Sequence, residues 1–169
     1  MARYTVDPER SRIWIEARSS LHPIHSETKG LEGWLDVEIE DGGQLSLSVA
    51  PKALLELPVE LLSSGNPLYD REMRRRIDAP RYPTIRGELT EMKALEEESH
   101  YAVRGDLTFR GVTQSVDGQI TISRVDDGTI QVHGEHEFDI RTFGMDPPRI
   151  LMLRVYPEVK VRIEVVGRL

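Results

Sequence analysis

Over most of this chain apolar residues recur at every second position, and that period commits it to β-structure. Leu31, Gly33, Leu35, Val37 and Ile39 alternate with Glu32, Trp34, Asp36, Glu38 and Glu40. Successive side chains of a strand point to opposite faces, so such a run has one apolar face and one wet face. The same rhythm runs through Ile13–Ala17, Leu45–Val49, Ile85–Leu89, Tyr101–Phe109, Val116–Ile122, Ile130–Ile140, Leu151–Val155 and Val159–Val165. Turn residues separate these runs: Asp41-Gly42-Gly43, Arg110–Gln114, and Asp126–Gly128. About eight strands joined mostly by short turns predict an antiparallel sandwich or barrel.

Only the middle departs from this period. "PKALLELPVELL", Pro51–Leu62, is leucine-rich and reads as helical, with Pro58 dividing it into two short pieces. "NPLYDREMRRRID" starts on an N-cap residue, Asn66, followed by proline, and places Leu68, Met73 and Ile77 on one stripe. One or two helices are therefore expected between strands three and four.

The remaining constraints are exclusions. A chain of 169 residues with no internal repeat or low-complexity linker reads as one domain, 1–169. A net charge of −7 argues against nucleic acid as the main partner, because binding would begin from repulsion. No cysteine is present, so no disulfide and no zinc–thiolate site can form. The amino terminus, "MARYTVDPERS", lacks the basic-then-apolar pattern of a signal peptide, which predicts a cytoplasmic protein. No apolar run is long enough to span a bilayer. The apolar closing stretch is broken by Arg154, Lys160 and Arg162, and unpaired it would be an aggregation-prone edge. Pairing Val159–Val165 with the strand around Ile13 and Ile15 would close a barrel and remove that edge.

No catalytic constellation stands out. His133 and His136 lie three apart in a strongly alternating strand, so they should point to opposite faces. His22 and His25 flank a proline in a loop. Metal binding is not expected of either pair, no serine sits in a nucleophile elbow, and no phosphate-cradling glycine motif calls for a nucleotide cofactor. The chain is read as a non-enzyme. Two other features invite a functional reading. Arginines 71, 74, 75, 76, 81 and 86 reverse the local charge, and their forked donors suit an anionic headgroup, a phosphate or an acidic membrane surface. The plainer alternative is a solvated helix face with pairs such as Asp70–Arg74 and Glu72–Arg76. Gly33, Gly87, Gly105, Gly118 and Gly134 sit in the apolar phase of their strands, where small residues suit a curved sheet around a cavity.

Several separated segments resemble the YceI-like family of polyisoprenoid-binding, lipocalin-like barrels. They are "YTVDPERSRIWIEAR", "NPLYDREMRRRIDAPRYPTIRGE", "YAVRGDLTFRGVTQSV" with its G-LT-RGVT hairpin, and "FDIRTFGMD". The match runs in order over essentially the whole chain. The resemblance implies an eight-stranded antiparallel barrel with a helical insertion, holding an isoprenoid chain in an elongated cavity, with no catalytic residues to transfer. The central helix departs from the family pattern by carrying Arg74-Arg75-Arg76.

On that reading the cavity wall is drawn from in-phase residues: Ile13, Ile15, Leu35, Val37, Leu107, Phe109, Ile120, Ile122, Ile130, Val132, Phe138, Ile140, Leu151 and Leu153. Arg74, Arg75 and Arg76 are the candidate headgroup rim. Trp14 and Trp34 lie out of phase and are expected under the helical insertion or at the mouth. The expected partner is an isoprenoid or other long-chain lipid, with peripheral membrane contact. The alternative is an interaction module that dimerises through its outer face.

Overall fold

The computed structural model describes residues 1–150 and 152–169. Among them are twelve strands and one α-helix: β1 Ala2–Val6, β2 Arg12–Ser19, β3 Ile24–Thr28, β4 Glu32–Ile39, β5 Leu45–Ser46, β6 Lys52–Pro58, α1 Pro67–Ile77, β7 Thr84–Ala94, β8 His100–Phe109, β9 Val112–Asp126, β10 Thr129–Asp139, β11 Arg149–Ile150 and β12 Leu153–Arg168. Eight of the strands pair antiparallel in the order β1-β4-β6-β7-β8-β9-β10-β12, and β12 returns to β1 through Thr5↔Arg168 and Val6↔Gly167. Each of these eight strands thus has a partner on both sides over at least part of its length.

The closing strand explains how. At sixteen residues, β12 is long enough for two partners on one edge. The expected pairing of Val159–Val165 with the strand around Ile13 and Ile15 is present, with Val161 opposite Ile15 and Ile163 opposite Ile13. That pairing attaches the β2–β3 hairpin beside the ring, however, and closure itself falls to β1. The chain passes from β1 to β2 through Asp7–Ser11. There Asp7 Oδ1 accepts from the Glu9 and Arg10 amides at 3.1 and 3.3 Å. Fully buried Ser11 accepts from the Val166 amide at 3.0 Å, standing in for the missing ladder bond.

Three expectations need correction. Leucine-rich Lys52–Pro58 is a strand, because β4 and β7 pair with it on both sides and outweigh leucine's helical preference. Only Val59–Leu61 beyond it makes a 3₁₀ turn. The expected strand at Leu45–Val49 shrinks to β5, two residues paired with Glu38 and Ile39. Because β1, β3 and β6 carry too little alternation to be anticipated, the helix follows the sixth strand and not the third.

Helix α1 begins as predicted. Asn66 Oδ1 accepts from the Leu68 and Tyr69 amides at 3.0 and 3.4 Å, Pro67 occupies the first turn, and Asp78 ends the helix in the left-handed region at φ 59°. Asp70 does not pair with Arg74. It is buried and accepts from the Ser64 amide at 2.8 Å and hydroxyl at 2.7 Å, locking the helix to its preceding loop. Strand direction sorts the connections into two ends. Helix α1, the β2–β3 and β8–β9 turns and the 139–152 segment gather at one, called here the helical end. The β4–β5, β7–β8 and β9–β10 turns gather at the other.

Candidate functional site

The barrel interior is not uniformly filled. A cavity of about 260 Å³ lies inside, against β4 and β6 through β10 and β12. Its inward side chains are apolar almost throughout: Leu35, Val37, Ala53, Leu55, Leu89, Met92, Val103, Leu107, Val116, Ile120, Ile122, Val132, Phe138, Val161 and Ile163. His136 is the polar exception. It is half-buried and meets Phe138 edge-on, with ring centroids 4.6 Å apart, while His133 is exposed on the outer face. The two histidines diverge, as the strand period requires.

Glycines hollow out this wall. Gly87, Gly105, Gly118 and Gly134 contribute one bare position to each of four adjacent strands. A Cβ built on Gly87 would meet nothing within 4 Å, and one on Gly118 would touch only Val103 at 4.0 Å. Space, and not backbone geometry, is what those two provide. Gly33 is different: at φ +143° a Cβ would run into the Leu54 carbonyl oxygen, so its role is close approach of strands β4 and β6.

The wall is also incompletely laced. The β9–β10 ladder ends at Gln119↔Glu135. Beyond it, Val112–Gly118 pair only with β8 and His136–Asp139 only with β12. The two strands therefore part beside His136, and the Gln114 side chain reaches across to the Thr142 carbonyl at 3.0 Å.

Of the residues expected to line the wall, Leu35, Val37, Leu107, Ile120, Ile122, Val132 and Phe138 border the cavity. Ile13 and Ile15 lie on β2 beside the ring. Ile130 and Leu153 are buried in packed regions away from it. Phe109 packs edge-on to Phe143 with centroids 5.7 Å apart, and Ile140 opens the 3₁₀ turn Ile140–Phe143. Leu151 lies outside the described residues. Leu89, Val103, Val116 and Val161 were missed although they share the apolar phase. Ala53 and Leu55 were hidden by the helical reading of β6.

The arginine rim is not brought to the cavity. Arg74 donates to the carbonyls of Glu60 and Leu62 at 3.2 and 3.3 Å, and Arg75 and Arg76 reach Glu72 at 3.4 and 3.1 Å. Arg74 thus ties the helix to the segment before it, while Arg75 and Arg76 pair within the helix itself. Trp14 and Trp34 lie neither under the helix nor at a mouth. Each is half-buried on the outer wall beneath a guanidinium, Arg162 at 4.4 Å and Arg3 at 4.0 Å. A second, open depression on the outer face of β7–β9 holds Glu91, Lys93, Arg104 and Asp117, whose charges pair with one another. Among the described residues no group of three metal-ligating side chains converges, and no helix is long and apolar enough to cross a membrane.

Solved structures share this architecture. BcnA of Burkholderia cenocepacia superposes with a TM-score of 0.78 at 17% identity, covering 95% of this chain and 98% of its own. A polyisoprenoid-binding domain from Saccharophagus degradans, implicated in plant cell wall breakdown, gives 0.76 at 14% identity, covering 98% and 97%. The YceI protein of Campylobacter jejuni gives 0.66 at 14% identity, covering 85% and 84%. At such identities the likeness is one of fold. No curated protein sequence matches the chain. The model of the YceI-like domain matches residues 4–167, and the chain belongs to that family.

Proposed function

We propose that this barrel, acting as one domain over residues 1–169, binds the apolar chain of an isoprenoid or similar lipid without catalysing a reaction on it, as a carrier or reservoir. The observation that carries the reading is the apolar cavity, whose inward side chains stay half-exposed where glycines open the wall. The polyisoprenoid-binding domain of Saccharophagus degradans, with the same fold, supports the ligand class.

Transfer of apolar surface from water drives such binding at about 25 cal/mol per Å². One C5 unit then contributes on the order of 2–3 kcal/mol before ordering costs. At about 260 Å³ the cavity falls just below the range of about 300–1,000 Å³ typical of drug-sized ligands. It takes a limited length of chain, and the remainder leaves where β9 and β10 part. His136 stands at that parting and offers a ring nitrogen to a polar oxygen of the ligand. Leu107, Ile120, Val132 and Phe138 are the wall residues assigned to chain contact.

Titration with a fluorescent prenyl probe tests this directly. Signal should rise and saturate, and Gly118→Leu should weaken the probe at least tenfold without lowering the melting temperature, because its side chain would occupy ligand space. His136→Phe should affect probes with an oxygen-bearing headgroup more than a plain hydrocarbon. Absence of saturable binding by the intact protein would remove the carrier reading.

A further inference from the structure

The two ends of the barrel carry opposite charge. At the end formed by residues 40–50, 95–99 and 126–128 there are seven acids, and the arginine that reaches them, Arg124, is paired with Asp127 at 2.6 Å. At the helical end, residues 18–23, 59–83, 110–111 and 139–154 carry ten arginines against six acids. The chain as a whole has a net charge of −7, so this polarity runs against its own average. Several acids at the helical end are already occupied: Asp70 by Ser64, Glu72 by Arg75 and Arg76, and Asp139 by Arg141. In contrast, Arg18, Arg71, Arg149 and Arg154 are exposed, and none has a carboxylate within 4.0 Å among the described residues.

Two of these face one another. Arg149 and Arg154 are directly paired across the β11–β12 ladder, a position where like charges repel. An anion placed between them would relieve that repulsion.

The same end also exposes apolar tips. Met152, in the turn between these two arginines, is 94% exposed, and Leu21, in the β2–β3 turn, is 77% exposed. The turns adjoin, since the Ser20 amide donates to the Arg154 carbonyl at 2.8 Å and the Arg154 amide donates to Ser20 Oγ at 3.0 Å. Tyr69 of α1 stacks on His22 of the same turn, with centroids 6.3 Å apart, and its neighbour Leu68 is exposed. Val49, Leu95 and Val125 are exposed near the opposite end, but that end is the acidic one.

We propose that the helical end is a docking face for an anionic lipid bilayer, with Leu21 and Met152 entering the interface and Arg18, Arg71, Arg149 and Arg154 meeting the headgroups. Cations near an acidic bilayer gain from its surface potential within a Debye length, and apolar tips gain from leaving water. A polyanion such as nucleic acid would use the arginines and leave the apolar tips without a role. The acidic end, repelled by the same surface, fixes the orientation. This proposal does not depend on what the cavity holds.

Co-sedimentation of the intact protein with vesicles tests it, using phosphatidylglycerol–phosphatidylcholine mixtures against pure phosphatidylcholine, both free of prenyl lipid. Binding should require the anionic lipid and fall as salt rises from about 0.05 to 0.5 M. Arg149→Gln with Arg154→Gln should lower partitioning by about 25-fold, roughly fivefold for each arginine. Leu21→Ser with Met152→Ser should lower it by about tenfold while leaving salt dependence in place. All four sites are exposed, so melting temperatures should be unchanged and loss of fold can be separated from loss of docking. Equal binding to both vesicle types, no binding to either, or indifference to the arginine pair would overturn the proposal. Tight binding to duplex DNA that the Leu21→Ser, Met152→Ser protein retains, with vesicle binding absent, would assign the face to a polyanion instead.

Discussion

One interior face, two kinds of wall: inward-facing residues of β1, β4 and the carboxyl-terminal end of β12 behave differently from those of β7, β8 and β9. Tyr4, Val6, Leu35, Val37 and Val165 are buried against one another, and Ile130 opposite them is 0% exposed. Leu89, Met92, Val103, Leu107, Val116 and Ile120 occupy the same inward phase yet are only half-buried, and burial on these strands returns only at Tyr101 and Ile122, near the β7–β8 and β9–β10 turns. The hydrophobic pattern does not distinguish the two sets. Side-chain volume does, because Gly87 on β7 and Gly118 on β9 leave open space at the centre, whereas a Cβ on Gly105 of β8 would meet the Glu88 carbonyl oxygen at 2.8 Å. Gly134 on β10 and Gly167 on β12 serve close packing instead, since a Cβ would meet Ile120 at 3.1 Å on the first and Tyr4 at 3.1 Å on the second. A barrel can therefore be stabilised by one arc of its circumference while another stays hollow.

Truncation on the two arcs should separate them most clearly. Ile130→Ala removes a wholly buried side chain from close packing, and we expect a loss of about 2–5 kcal/mol. For a chain of this length that is about 5–15 °C in melting temperature. Met92→Ala already borders empty space, so little new cavity forms, and a loss of about 1 kcal/mol or less is expected. Thermal unfolding of the two variants side by side is the measurement. Equal losses would mean that the β7–β9 arc is packed in solution and the cavity is closed.

How far the sequence anticipates this contrast depends on the residue. Alternation locates β4, β8, β9, β10 and β12, and the pairing of Val159–Val165 with the strand around Ile13 and Ile15, because one buried face must meet another. Short segments escape it: β1 has five residues and β3 five, and their pairing depends on partners far away in sequence. Lys52–Pro58 is misread because its leucines report local preference, whereas two neighbouring strands decide its conformation. Of the inward glycines, Gly87 and Gly118 do mark the hollow arc, while Gly33, Gly105 and Gly134 mark close contacts. Which in-phase residues touch the cavity and which touch each other is a matter of curvature, which period two does not encode. The arginines of α1 are legible as charge but not as contacts, since the carbonyls of Glu60 and Leu62 that engage Arg74 lie in a loop without a pattern.

The glycines themselves sharpen the comparison at a smaller scale. Gly33→Ala sets a methyl group against the Leu54 carbonyl from a φ of +143°, and we expect a loss of about 1–3 kcal/mol. Gly87→Ala points its methyl group into open space at an ordinary φ, and should be neutral within about 0.5 kcal/mol. Urea unfolding would read both. A destabilised Gly87→Ala protein would show that glycine is there for the backbone and not for the cavity.

The smallest difference concerns charge on the outside of the two arcs. Arg3 holds Asp36 through two hydrogen bonds of 2.7 Å on the filled arc, and Arg104 holds Asp117 through one of 2.7 Å on the hollow arc. In each case the hydrogen bond from the guanidinium is the main cause of a carboxyl pKa below its ordinary value of 3.8. A lowered folded-state pKa means the unfolded chain binds the proton more readily, so each pair stabilises the fold above 3.8. That stabilisation is lost as pH falls through the lower, folded-state value. The Asp36 side chain is 19% exposed and that of Asp117 74% exposed, so water and salt screen the second pair far more. Asp36→Asn should therefore flatten the acid limb of stability against pH more than Asp117→Asn does, measured as urea midpoints between about pH 6 and pH 2. All three proteins should converge at the lowest pH, where every carboxylate is protonated. Identical slopes for the two variants would place the stability difference between the arcs in their side-chain packing alone.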